Sequence, residues 1–454
     1  MKRKLLSLLV LIMAVSGAWA QGSGTPDDPW ISGDCTLILS EGTLTVSGTG
    51  AMADYTTSDG TPWNSNCGAI TSIVIGSGVT SIGDNAFGEC TNLASVSIPA
   101  SVTSIGYHAF QNCGTNAAAL TVTFAEGTSL MTIGLAAFVG ANLTSITIPN
   151  RVTSIDNGAF SECYNLASVS IPASVTSIGE TAFLHSGIYA TALTVTFAEG
   201  TSPMTIGPGA FAESNLTSIT IPNRVTSIAN NAFSGCPNLA TITLNSNPTI
   251  GEDAFINIKE GASVTMNLTA NSGDGDYWMT FYNKNYGFTA DTNTKIYKAK
   301  VNDGNTAVVL TEVDDIPKGN AAVLKSSNAA ITMTLASSTS GDYDGNQLQG
   351  ADGTMDAPAD AYCLSNENPG RGVGFYTYTG TIPVNRAYLV VTGGPTTSRG
   401  FLGFGDDDDA TAIDNGKWII DNSDGTIYDL SGRIVIGQPR KGIYVKDGKL
   451  VVIK

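Results

Sequence analysis

An Ala-Phe pair recurs along the first half of this chain with its Phe at positions 87, 110, 138, 160, 183, 211, 233 and 255. The spacings run 23, 28 and 22 twice over, and residues 89–106 and 162–179 are the same text but for Thr91 against Tyr164. Self-similarity at such a period predicts a solenoid, in which each unit buries its apolar face against its neighbours. The unit is one coil, and a block of three coils has been duplicated as a whole.

Within a coil the pattern is that of short strands. Leu93-x-x-Val96-x-Ile98 places Val96 and Ile98 on one face, and Pro99 ends the strand because it has no N–H for a ladder. Val102-Thr-Ser-Ile105-Gly106 predicts a second short strand, and Ala109-Phe110 a helical or looped corner that drops a ring into the core. The same grammar returns at Leu143, Leu166, Leu216 and Leu239. An Ala-Glu-Gly-Thr-Ser insertion follows Leu120-Thr-Val-Thr-Phe124 and Leu193-Thr-Val-Thr-Phe197, and accounts for the 28-residue coils. Stacked at roughly 4.8 Å, eight or nine coils make a slab about 40 Å long.

The phrases SIGDNAFGECTNLASVSIP and TSITIPNRVTSI resemble the BspA-like leucine-rich repeat family of bacterial surface proteins. TLILSEGTLTVSGTGAMADYTTSDGTPWNS resembles the capping segment which that family places before its first repeat. The resemblance covers roughly residues 33 to 258 and implies a mainly β leucine-rich repeat solenoid that adheres to extracellular matrix proteins or to other bacteria. The Asn of L-x-x-L-x-L-x-x-N is missing, so no asparagine ladder is expected.

The rest of the chain sets compartment and organisation. Lys2, Arg3 and Lys4, an apolar run from Leu5 to Val15 and Ala18-Trp19-Ala20 form a secretory signal over 1–20, too short to span a membrane. A β cap is expected over 21–69, the solenoid over 70–258 and a separate all-β, sandwich-like domain over 262–405. Residues 413–454 form a short C-terminal β unit holding seven of the 22 basic residues, with Asp447-Gly448 as a hairpin turn. That unit resembles the sorting domain of type IX secretion; a plain β-hairpin cap is the alternative. The expected product is exported, at the cell surface or extracellular, without a transmembrane segment, and monomeric.

A net charge of −17 leaves nucleic acid and anionic membrane poor partners. Extracellular proteins and glycans remain. Between the inward residues of successive strands lie Ser97, Thr123, Thr147, Ser170, Thr196, Thr220 and Thr243, which make either an ordinary wet strand face or a flat, uncharged recognition surface. The alternative binding segment is aromatic, from 277 to 288, where Tyr277, Trp278 and Tyr282 could stack on sugar unless they fill the core.

Catalytic and metal chemistry find little support. Cys90, Cys113, Cys163 and Cys236 all stand three residues after a repeat Phe, but Ala141, Ser186 and Ser214 hold that place in sibling coils, so a small buried site is expected rather than a metal ladder. Cys90 with Cys113, and Cys35 with Cys67, are the disulfides within reach. His108 and His185 stand in separate corners, and the acids Glu89, Glu162 and Glu213 occupy solvated corners. Gly370-Arg371-Gly372-Val373-Gly374 has the context of a turn. Asp342-Tyr-Asp344-Gly-Asn346 opens like a calcium loop but continues with Gln347 where that loop needs glycine, and Asp406 to Asp409 is an acidic linker. No cofactor and no enzymatic activity are expected.

Overall fold

In the computed structural model the described residues are 22–404, interrupted at 247, 269, 272–274, 303–306, 337–338, 340, 352–354, 366–372, 383–385 and 392–400, together with 427–428, 442–446 and 449–453. The signal segment, most of the Gly370 run and Asp406 to Asp409 lie outside them. The chain is mainly β and divides into two compact units, residues 1–264 and 265–454.

In the first unit each coil contributes one strand to each of two parallel arrays. The Val/Met-Thr-Ser-Ile pieces form one continuous sheet of nine strands, running from Gly50–Ala51 through Val79–Ile82, Met131–Ile133 and Val152–Ile155 to Thr249–Ile250. The opposite array carries Thr43–Gly48, Ser72–Ile75, Ser95–Ile98 and Thr121–Phe124, then Ser145–Thr147, Ser168–Ile171 and Thr194–Phe197, then Ser218–Ile221 and Thr241–Leu244. It breaks after each 28-residue coil, where only the single bridges Leu120↔Leu143 and Leu193↔Leu216 persist. Leu120-Thr-Val122 has one residue fewer than Leu143-Thr-Ser-Ile146, so pairing the leucines puts the inward positions one residue out of step. A one-residue slip reverses which face a side chain occupies, and the ladder is interrupted.

The Ala-Phe corners form a third ladder. Each Phe N–H from Phe87 to Phe233 donates to the Ala carbonyl of the next coil, as Phe110 to Ala137 (2.7 Å) and Phe160 to Ala182 (2.8 Å). The rings from Phe87 to Phe255 stack with centroids 5.0 to 5.4 Å apart, tracking the coil pitch, and all are buried. These corners are turns, not helix. The residue two before each Phe and the residue two after it take positive φ, among them Asn85, Glu89, Ala136, Thr181, Glu213 and Asn231. His108 (φ 52°) and His185 (φ 55°) are two of these turn positions, which accounts for both histidines of the chain.

The position three after Phe is buried in every coil from Cys90 to Cys236. Its side chain reaches the Phe carbonyl of the coil before: Cys113 Sγ to Phe87, Cys163 Sγ to Phe138, Ser186 Oγ to Phe160 and Cys236 Sγ to Phe211, at 2.8 to 3.3 Å. Small donors suit that gap. The disulfide joins Cys67 to Cys90 with Cα atoms 4.6 Å apart, while Cys35 and Cys113 are free and buried. This corrects the expected pairs Cys35–Cys67 and Cys90–Cys113. Cys67 lies 23 residues before Cys90, one coil length, so it takes the equivalent buried place in the capping turn.

The cap closes one end of both arrays. Trp30–Ser32, Cys35–Ser40 and Thr43–Gly48 are antiparallel, and the last then pairs in parallel with Ser72–Ile75. Trp63, fully buried, ends the ring ladder 6.1 Å from Phe87 and donates its indole N–H to the Ala86 carbonyl (2.9 Å).

Two buried arginines lock the blocks. Arg151 is 3% exposed and Arg224 4%. The Arg224 guanidinium donates to the carbonyls of Pro172 (3.0 Å), Val175 (2.5 Å) and Ala198 (3.3 Å), and Arg151 reaches Pro99 (3.0 Å) and Val102 in the same way. Each reaches back two coils, across the one carrying the Ala-Glu-Gly-Thr-Ser insertion. Burial pulls both guanidinium pKa values down, and Glu126 or Glu199 opposes the shift.

In the second unit Tyr277–Tyr282 pairs antiparallel with Ala321–Ser326, which also pairs with Thr294–Val301, itself paired with Ala307–Val313. These belong to a sheet of ten strands that continues through Phe401–Phe404, Gly374–Thr377, Ala361–Ser365 and Ala387–Val390. Gly287–Ala290 lies between Ala330–Ala336 and Asp315–Ile316 in another sheet. Ile427–Tyr428, Gly442–Lys446 and Lys449–Ile453 form a three-stranded antiparallel sheet, with Lys446 opposite Lys449, and Asp447-Gly448 lies outside the described residues.

Candidate binding surface

Because successive strand residues alternate, the inward Val, Ile and Leu of the interrupted array leave a hydroxyl or small residue pointing outward at each second position. Ser97, Thr123, Thr147, Ser170, Thr196 and Thr220 are exposed, and Thr243 is half-buried. They face their neighbours in register, Ser97 opposite Thr123, Thr147 opposite Ser170, Ser170 opposite Thr196 and Thr220 opposite Thr243. Val74 continues the row at the capped end.

A second row, not singled out from the sequence, runs beside the first. Ser72, Ser95 and Thr121 pair in register, as do Ser145, Ser168 and Thr194, and Ser218 with Thr241. The signal was present, since each stands two residues before a member of the first row. Thr123 and Thr196 spend their hydroxyls on the carbonyls of Val96 (3.2 Å) and Val169 (3.3 Å), and Ser95 bonds Ser72 (2.9 Å). The outward positions of both rows carry no charged residue, so the array offers hydrogen bonds and shape.

The aromatic segment is placed differently. Trp278 is 9% exposed in the core of the second unit, its ring 4.8 Å from Phe404 and 4.9 Å from the Lys325 ammonium. Tyr282 is half-buried and packs against the same core, and Tyr277 is half-buried at the start of the strand. Alternation puts Tyr277 on the opposite face from Trp278 and Tyr282, which pack on the core, so the three do not form one platform.

The acidic loop at Asp342 already holds a cation from the chain itself. Lys298 Nζ lies 3.2 Å from Asp342 Oδ2 and 3.0 Å from the Asp344 carbonyl, and the Asp344 N–H and Lys298 together depress the Asp342 carboxyl. Asn346 and Gln347 accept from the N–H groups of Ala299 and Val301. Among the described residues no group of three or more His, Cys, Asp or Glu is arranged to hold a metal. A cavity of about 210 Å³ in the second unit is lined by Thr280, Cys363, Tyr378 and Arg386. Burial raises the Cys363 thiol to about 11 and lowers Arg386 to about 10, so that thiol is not an activated nucleophile.

Residues 64–189 and 204–285 match the BspA type leucine rich repeat region in six copies. The repeats are of the BspA type. A leucine-rich repeat protein of Eubacterium ventriosum is 27% identical, over 52% of this chain and 72% of that one, with a TM-score of 0.36. The Treponema pallidum leucine-rich repeat protein is 23% identical over 49% and 86% (TM-score 0.31), and a leucine-rich cell surface protein of Faecalibacterium prausnitzii is 23% identical over 51% and 94% (TM-score 0.22). No curated protein matches. Among the described residues no helix is long and apolar enough to cross a membrane.

Proposed function

We propose that the chain is an exported, monomeric, non-enzymatic surface protein whose BspA-type repeats bind extracellular proteins or glycans in an adhesin-like role. The observation that carries this reading is the doubled row of outward hydroxyls, held in register on a rigid β scaffold. The N-terminal signal supports export, and the C-terminal three-stranded sheet supports a sorting role at the cell envelope. The test uses the mature chain on arrays of matrix proteins, bacterial cells and glycans, beside the variant Thr147→Ala/Ser170→Ala/Thr196→Ala. Exposed side chains of this kind change stability little, so a variant that keeps its melting temperature and loses its targets supports the hydroxyl face. Retention of every target would remove it.

A further inference from the structure

The two three-coil blocks act as each other's control. Residues 92–106 and 165–179 are identical, as are 119–129 and 192–202, and 142–155 and 215–228. Those segments, with Met131–Ile133 and its identical twin Met204–Ile206, hold the strands of both arrays. Across 91–155 and 164–228, the exchange of Leu130 for Pro203 apart, every difference falls in the corners around the Phe ladder.

One corner has changed in concert. In the first block Asn116 Nδ2 donates to Thr91 Oγ1 (3.1 Å) and Asn112 to Glu89 (2.9 Å), a polar surface of ordinary kind. In the second block Thr91, Thr115 and Asn116 are replaced by Tyr164, Ile188 and Tyr189, and Asn112 and Gly140 by His185 and Glu213. The backbone is unaltered: the Asn116 N–H donates to Thr91 at 2.8 Å, and the Tyr189 N–H to Tyr164 at 2.9 Å. Folding therefore does not require the exchange. Tyr189 is nonetheless 71% exposed and Ile188 41%, an apolar cluster that the packed coil leaves in water.

Its chemistry favours a cation. The Tyr164 and Tyr189 rings are 5.4 Å apart and tilted by 45°, so they make a cleft between faces and not the flat platform on which a sugar ring lies. The Tyr164 hydroxyl donates to Glu162 (3.0 Å), and Glu213 stands 3.0 Å from His185 in the next coil. One carboxylate, Glu162, thus sits against the ring pair on a chain of net charge −17, and Glu213 pairs with His185 one coil further on. We propose that this corner binds a basic segment of a protein partner, an Arg or Lys side chain lying on the Tyr189 ring and pairing with Glu162.

The proposal rests on the chain being a binding protein, but not on its hydroxyl face. The experiment titrates the full mature chain into a fluorescent decapeptide of alternating Arg and Gly. The comparison is the variant Tyr164→Thr/Ile188→Thr/Tyr189→Asn, which keeps the charge and uses residues the first block already accommodates. Tyr189→Asn alone serves as a second variant. Affinity is expected to fall about tenfold in the triple variant at an unchanged melting temperature, with a smaller loss in the single one. Equal affinity for all three proteins would mean that the peptide is held by diffuse acidic surface, and the proposal fails. Loss of binding to a neutral hexasaccharide instead of the peptide would assign the corner to glycans and overturn it as well. The alanine variant of the hydroxyl face, which adds no charge, should leave the peptide titration unchanged, so the two surfaces fail separately.

Discussion

Arg151 and Arg224 are the residues that the tertiary structure most changes in meaning. As letters they are basic residues after a Pro-Asn turn; in the fold each ties carbonyls two coils away. Replacing Arg224 by Met keeps an apolar stem but leaves carbonyls that are buried without a donor, and should cost about 3 kcal/mol, measured by urea unfolding. Thr181 points the other way. It holds φ 52° with a branched Cβ, where Gly158 and Gly209 serve in the neighbouring coils. Thr181→Gly should therefore stabilise the protein by about 1 kcal/mol in the same assay.

At the scale of the element, the Ala-Phe period made the coil, its two strands and its buried ring legible in the sequence, because an apolar face that repeats has one economical way to be covered. Phe160 lies between Phe138 and Phe183 at 5.3 and 5.2 Å, and Phe160→Ala should cost about 4 kcal/mol on thermal or urea unfolding. The broken array was not legible, since it depends on a one-residue difference between Leu120 and Leu143 that matters only once the two strands meet. Nor was the Cys67–Cys90 bridge, because the capping turn carries Trp63 and no Ala-Phe pair, so the one-coil spacing of the two cysteines gains its meaning only once Trp63 joins the ring ladder. In the second unit Trp278→Ala removes a ring from the core, so the melting temperature should fall by several degrees.

At the scale of the whole molecule, the buried thiols set a pH limit. Burial pushes Cys113, Cys163 and Cys236 above their ordinary value of 9.0. Unfolded, the same thiols ionise near pH 9 while the folded chain keeps its protons. The contribution to stability is thus complete below pH 9 and declines as pH rises above it. Urea midpoints at pH 8 and pH 10.5 should differ, with the higher pH less stable, and iodoacetamide at pH 8 should reach these three cysteines only in the unfolded chain. By itself the sequence determined the repeat, its period, the duplicated block and the outward hydroxyl row, all of which follow from local alternation and periodicity. Only the tertiary structure decided which residues are spent on packing and which remain for a partner. It sank Trp278 into a core, paired Lys298 with the acidic loop, paired His185 with Glu213 and left Tyr189 in water beside a half-buried Tyr164. Those outcomes depend on which coil or strand arrives next to which, and no single stretch of chain carries that information.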